Sequence, residues 1–239
     1  MEIIVSKNYD ELSRKAAKFI INLIKEKPNA VLGLATGGTP EGMYAELIKA
    51  YEAGEISFKD VKTYNLDEYI GLDGEHEQSY RYFMNKQLFN HVDIDKNNTY
   101  VPNGKAGDLE AECENYEKIL EDLSYADIQI LGIGTNGHIG FNEPAEELIL
   151  PTHVEPLVEA TIEANSRYFD SKDEVPKEAI SMGIGSILKA KHIILLASGP
   201  SKNEIMKYFN NDKISTNIPA SLIKLHPNVT IIMDEEAAK

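Results

Sequence analysis

The run Gly132-Ile133-Gly134-Thr135-Asn136-Gly137-His138-Ile139-Gly140-Phe141-Asn142-Glu143-Pro144 puts an imidazole, amide side chains and a carboxylate into one Gly-rich loop behind an apolar stretch. Histidine titrates near neutrality and moves protons in either direction. A carboxylate within reach, here Glu143, can orient the ring and stabilise its cation. A structural histidine is the alternative, but glycines sacrifice chain entropy wherever they are used, which argues for a loop with a task. One His with a Glu five residues on matches no standard ligand pair, so no metal is expected. A second acid–base candidate ends another apolar run, in Asn65-Leu66-Asp67-Glu68-Tyr69. Neighbouring strand residues point to opposite faces, so one carboxylate faces a site and the other is structural. Asp67 then reads either as a general base or as a turn-forming cap.

Two further turns could hold an anion. Thr36-Gly37-Gly38-Thr39-Pro40 follows an apolar run, with Thr39 as a possible N-cap and Pro40 at the first helical position. Amides and hydroxyls at a helix N-terminus suit phosphate, although an ordinary capped strand-to-helix turn would look the same. No Lys-Ser/Thr pair follows the glycines, so this is not a Walker loop. In Ser198-Gly199-Pro200-Ser201-Lys202-Asn203-Glu204, Ser201 and Glu204 have capping-box spacing, which places Lys202 in the first helical turn. The macrodipole disfavours a cation there unless an anion compensates; a solvated surface lysine is the plainer reading. Arg167, in Asn165-Ser166-Arg167-Tyr168-Phe169, is the other candidate cation, suited to bidentate phosphate contact or to a surface ion pair. Two backbone cradles and two cations near one sheet edge favour a phosphorylated small molecule.

These segments need elements to hold them. Apolar runs at Glu2–Val5, Ala30–Leu34, Val61–Leu66, Ile128–Ile133, His192–Ala197 and Val229–Met233 read as strands. Helical spacing covers Tyr9–Leu23, Pro40–Tyr51, Ser79–Leu88, Leu109–Leu123 and Lys202–Phe209. The alternation predicts a single α/β domain over residues 1–239, with a Rossmann-like, mostly parallel open sheet and helices on both faces. Gly71–Gln78 and Pro144–Pro156 read as irregular loops. In such sheets ligands bind beyond the carboxyl ends of the strands, where all the segments above should converge.

The 239 residues carry a net charge of −15, and 42% are hydrophobic. That composition builds a core and excludes a disordered chain. The charge opposes a nucleic-acid partner. No apolar run reaches the roughly 18 residues of a membrane span. The N-terminal stretch has no signal-peptide pattern, so the expected location is the cytoplasm. The one cysteine, Cys113, sits at helical spacing among apolar residues and reads as a small core residue.

Together, Thr36-Gly37-Gly38-Thr39-Pro40, Asn65–Leu72, Gln78-Ser79-Tyr80, Gly132–Pro144, Asn165–Phe169 and Gly199 with Lys202 resemble the glucosamine-6-phosphate deaminase (isomerase) family, in family order across nearly the whole chain. The Thr-Gly-Gly-Thr turn alone also suits sugar-phosphate lactonases and isomerases; the joint pattern selects the deaminase. The resemblance implies conversion of D-glucosamine 6-phosphate and water to D-fructose 6-phosphate and ammonia, without metal or organic cofactor. By the same resemblance His138 opens the sugar ring, with Glu143 and Asn136 in support. Asp67 moves the proton from C2 to C1. Thr36, Gly37, Gly38, Thr39, Arg167 and Lys202 hold the phosphate. Many family members carry Asp at the position of Asn136; an amide cannot ionise, so Glu143 is expected to be the more important partner of His138. Longer members bind N-acetylglucosamine 6-phosphate at a basic allosteric site just after Asn-Glu-Pro. This chain has Glu146, Glu147, His153 and Glu155 there, which implies hyperbolic kinetics and a monomer or small homo-oligomer.

Overall fold

The computed structural model describes residues 1–166, 169 and 171–239. Seven strands form one parallel sheet in the order β1-β10-β9-β6-β2-β3-β5. They span Glu2–Ser6 (β1), Val31–Leu34 (β2), Lys62–Asn65 (β3), Thr99–Tyr100 (β5), Ile128–Leu131 (β6), Ile193–Ala197 (β9) and Val229–Asp234 (β10). Every residue of β2, β6, β9 and β10 is buried, as in strands covered by helices on both faces. The α/β reading therefore holds.

The helices owe their positions to the same apolar spacing. In α1 (Tyr9–Glu26), Leu12, Ala16, Ile20 and Ile24 recur every fourth residue and are buried, while the Asn8 side chain caps the first turn by accepting from Glu11 N at 3.0 Å. This helix packs on α2 (Gly38–Glu52) and on β9 and β10. Cys113 is buried in α4 (Leu109–Asp122), as its spacing suggested. At the other end of the sheet, Asp127 draws Lys27 and Lys191 together at 2.7 Å each. Burial works to raise its carboxyl, but the bonds from Lys191, Lys27 and Val31 N–H hold it below its ordinary value.

A second, antiparallel sheet of three short strands was not evident from sequence: β4 (Asp67–Tyr69), β8 (Glu178–Ser181) and β7 (His153–Pro156), with β8 central. The end of Pro144–Pro156 is thus a strand rather than irregular loop. Its pairing partners lie 22 to 28 residues away, and its terminal proline is tolerated because β7 lies at the sheet edge. The chain enters this sheet at Leu66, whose carbonyl accepts from Met182 N at 2.8 Å. The run Gly71–Gln78 is a loop, as expected.

The cap assignments need correction. α2 starts at Gly38, with Gly37 (φ +90°) at the N-cap and no side-chain cap bond, so Thr39 lies inside the first turn. Lys202–Phe209 is not one helix: a 3₁₀ turn (Pro200–Lys202), a short α-helix α7 (Asn203–Met206) and another 3₁₀ turn (Lys207–Asn210) follow one another. No Ser201 capping bond forms. In both places a positive-φ glycine turns the chain, which a side-chain cap rule cannot foresee.

From β2 the chain builds outward to β3 and β5 on one side, and later fills β6, β9 and β10 on the other. The boundary between β2 and β6 is therefore the topological switch point, where such sheets open a ligand crevice.

Candidate active site

A cavity of about 910 Å³ lies at that point. Its walls come from the segments after β2 (Thr36, Gly37, Gly38, Thr39), after β6 (Gly132–Asn136, His138, Gly140) and after β9 (Ser198, Ser201, Lys202), with Asp67 from β4. Thr36, Gly37, Gly38, Thr39, Lys202, Asp67, Asn136 and His138 thus meet in one space. Glu143, only 3% exposed, lies behind His138 rather than on the wall. Arg167 lies outside the described residues.

The two carboxylates of β4 divide as strand geometry demands. Asp67 borders the cavity and is 6% exposed. Burial, with the neighbouring Glu68 charge second, pushes its carboxyl up to about 8. Ser181 sits across the strand pair, and Gly140 (φ +57°) closes over it: a Cβ there would lie 3.5 Å from Asp67 Oδ2. Glu68 faces the other way and accepts from Tyr69 N, Tyr80 N and Arg81 N, each at 2.9 Å. Burial raises its carboxyl to about 7 while those amides pull it down. The last two amides begin α3 (Tyr80–Met84), so Glu68 pins that helix to the strand carrying Asp67.

The loop after β6 folds tightly around its histidine. Gly134 N donates to His138 O at 2.9 Å and Gly137 N to Gly134 O at 3.0 Å, with Gly137 at φ +90°. A Cβ on Gly134 would stand 2.4 Å from the imidazole, so this glycine is what lets the ring lie flat on its own loop. His138 Nδ1 stands 3.3 Å from Glu143 Oε2, within ion-pair distance but not aligned as a hydrogen bond. Asn136 joins the two: its Nδ2 donates to Glu143 Oε2 at 2.7 Å, and its Oδ1 accepts from His138 N at 3.2 Å. The Thr161 hydroxyl donates to Glu143 Oε1. Burial works to raise the Glu143 carboxyl, but the contacts from His138, Thr161 and Asn136 together hold it below its ordinary value. Glu143 is therefore an ionised partner for the imidazole.

Replacing Gly134 with Ala should push the ring off the cavity wall while leaving the sheet intact. Turnover should fall about tenfold or more with an unchanged circular dichroism spectrum; wild-type turnover in that variant would contradict the assignment.

Sequence reasoning missed several residues. Ser198 and Ser201 stand in a Ser-Gly-Pro-Ser run that was legible but read only for capping. Tyr80 and Phe141 stack with ring centroids 6.0 Å apart and interplanar 5°, both bordering the cavity. Thr161, on α5 (Glu159–Asn165), gave no signal because its partner Glu143 is 18 residues away.

The family described as glucosamine-6-phosphate isomerases/6-phosphogluconolactonase matches residues 6–232. A glucosamine-6-phosphate deaminase of Clostridium perfringens (strain 13 / Type A) is 56% identical over 239 residues, covering 100% of this chain and 99% of that protein. One from Thermoanaerobacter pseudethanolicus (strain ATCC 33223 / 39E) is 56% identical over 238 residues, covering 100% and 94%. A solved structure described as a monomeric glucosamine-6-phosphate deaminase, "missing link of the NagB superfamily", superposes with a TM-score of 0.97 at 50% identity, covering 100% and 99%. A Trypanosoma brucei 6-phosphogluconolactonase shares the fold alone, with a TM-score of 0.77 at 17% identity and coverage of 99% and 97%. With near-complete coverage in both directions at this identity, the chain belongs to the glucosamine-6-phosphate isomerase/6-phosphogluconolactonase family, among its glucosamine-6-phosphate deaminases.

Proposed function

We propose that this chain, as one catalytic domain over residues 1–239, converts D-glucosamine 6-phosphate and water to D-fructose 6-phosphate and ammonia in N-acetylglucosamine breakdown in the cytoplasm. The observation that carries this is the opening of Asp67 and of His138, backed by Glu143, onto one cavity, together with the turns at 36–39 and 198–202. Thr36, Gly37, Gly38 and Thr39 offer amides and hydroxyls to the phosphate, and Lys202 and Arg167 supply charge. His138 takes a proton from the C1 hydroxyl and delivers one to the ring oxygen, opening the pyranose. Glu143 stabilises the imidazolium and Asn136 holds the two in register. Asp67 removes the C2 proton of the open chain and returns it at C1. As Asp67 takes the C2 proton, the C1 carbonyl oxygen takes one from the C2 ammonium, giving an enolamine; protonation at C1 by Asp67 then leaves an iminium at C2. Water adds to C2 and the nitrogen departs as ammonia, leaving the C2 ketone. Each positioned acid–base group contributes about 10²–10⁴-fold.

The remote phosphate supplies binding energy that holds C1 and C2 against Asp67, so glucosamine without phosphate should turn over far more slowly. A coupled assay for fructose 6-phosphate with parallel ammonia detection tests the reading. Equal yields of both products are expected; hydrolysis of 6-phosphogluconolactone without ammonia release would replace it with the lactonase activity.

His153 Nε2 pairs with Glu155 Oε2 at 3.0 Å, and Glu146 and Glu147 are exposed. Carboxylates there repel a second phosphate ester. A monomer or small homo-oligomer with a hyperbolic substrate curve, unchanged by N-acetylglucosamine 6-phosphate, is the expected result. A sigmoidal curve that the ester straightens would refute it.

A further inference from the structure

Asp234 is a carboxylate beside a turn that we have assigned to phosphate binding, where a negative charge works against the ligand. It ends β10 and is 4% exposed. Its oxygens are not idle. Oδ2 accepts from the Ser198 hydroxyl at 2.5 Å, and Gly199 N–H points at both oxygens, at 3.1 and 3.0 Å. Oδ1 also accepts from Ala237 N at 2.8 Å, capping the last helix, α8 (Glu235–Ala238). α8 in turn packs on the Pro200–Lys202 turn and on α7.

Gly199 sits at φ +86°, a conformation open to glycine, and nothing within 4 Å of it would meet an added Cβ. The Gly199 N–H is held by that carboxylate, while Gly199 O accepts from Lys202 N at 3.1 Å within the turn. With Asp234 in place, Ser198 and Gly199 are tied to the sheet, and the turn presents Ser201 and Lys202 to the cavity in one geometry. We infer that Asp234 is a positioning residue for the phosphate monoester: it never touches the ligand, but fixes the turn through Ser198 and Gly199. The inference rests on the phosphate reading of that turn. The local charge is spread over three donors, which lowers the cost of keeping it near an anion.

The test is steady-state kinetics on the full chain, with inorganic phosphate as competitive inhibitor, for wild type, Asp234→Asn and Asp234→Ala. Asn keeps Oδ1 for Ala237 and Gly199 but cannot accept from Ser198 at the other position. In Asp234→Ala, KM and the phosphate inhibition constant should both rise about tenfold, as expected for losing charged hydrogen bonds, with kcat within about a factor of two. Asp234→Asn, which retains the shape and folds more readily, should lie between. Wild-type KM and inhibition constant in either folded variant would overturn the inference while leaving the phosphate site standing. So would a fall in KM, which would mean that the carboxylate charge outweighs its bonds. A wild-type enzyme that deaminates without any inhibition by phosphate would remove the phosphate reading of this turn, and the inference with it.

Discussion

Asp67→Asn should abolish most ammonia release and, at the same time, make the protein harder to melt. The amide has the same shape but cannot accept the C2 proton, so turnover should fall by about 10²–10⁴-fold. The stability gain follows from burial. The Asp67 carboxyl is raised from 3.8 to about 8, so the native state binds its proton more tightly than the unfolded chain does. That aspartate contributes fully below about pH 4 and progressively less as pH rises toward 8. Asn escapes this loss. The melting-temperature difference should therefore be near zero at pH 4 and grow to roughly 5–10 °C by pH 8. The same titration sets the wild type's pH profile: kcat/KM should climb as Asp67 ionises, reach half its limit near pH 8 and level off about one pH unit above that. An active Asp67→Asn enzyme, or one less stable than wild type at pH 8, would show that this carboxylate is not the buried base described above.

Glu143→Gln should be the second most damaging change, and should exceed Asn136→Ala. Glu143 is the carboxylate within ion-pair distance of the imidazole, and it also takes bonds from Asn136 and Thr161. Glutamine removes the charge that balances the imidazolium and puts an N–H group either against Asn136 and His138 or against Thr161. Turnover should fall by about 10²-fold or more. Asn136→Ala leaves the charge in place and removes only the bonds that hold loop and carboxylate in register, which predicts roughly tenfold. Measuring kcat for both variants settles the order; a larger loss in Asn136→Ala would make the amide the principal partner.

Much of this was legible in the residues. The parallel strands read clearly because Val31–Leu34, Ile128–Leu131 and Ile193–Ala197 are apolar at every position but Gln129 and lie where the local pattern puts them. The convergence of Thr36, Asp67, His138 and Lys202 followed from one rule about sheet ends. Strand alternation predicted that only one of Asp67 and Glu68 faces a site, and the family resemblance pointed to Asp67. What escaped was set by distant partners. β7 is a strand only because β8 pairs with it, and His153-Val154-Glu155-Pro156 carries no strand pattern of its own. Thr161 and Asp234 matter through contacts 18 and 35 or more residues away, which no local spacing encodes. The turns at Gly37 and Gly199 were located correctly, but their caps were not, because positive-φ glycines rather than side chains shape them.

The small antiparallel sheet places Asp67 opposite Ser181, and Ser181 opposite His153. Two strand spacings, about 10 Å, therefore separate the Asp67 carboxyl from the far edge strand of that sheet. For an engineer this is a handle: a sensor module or a conformational brake grafted along His153–Pro156 would pull on Asp67 through two hydrogen-bonded ladders, with no need to enter the cavity.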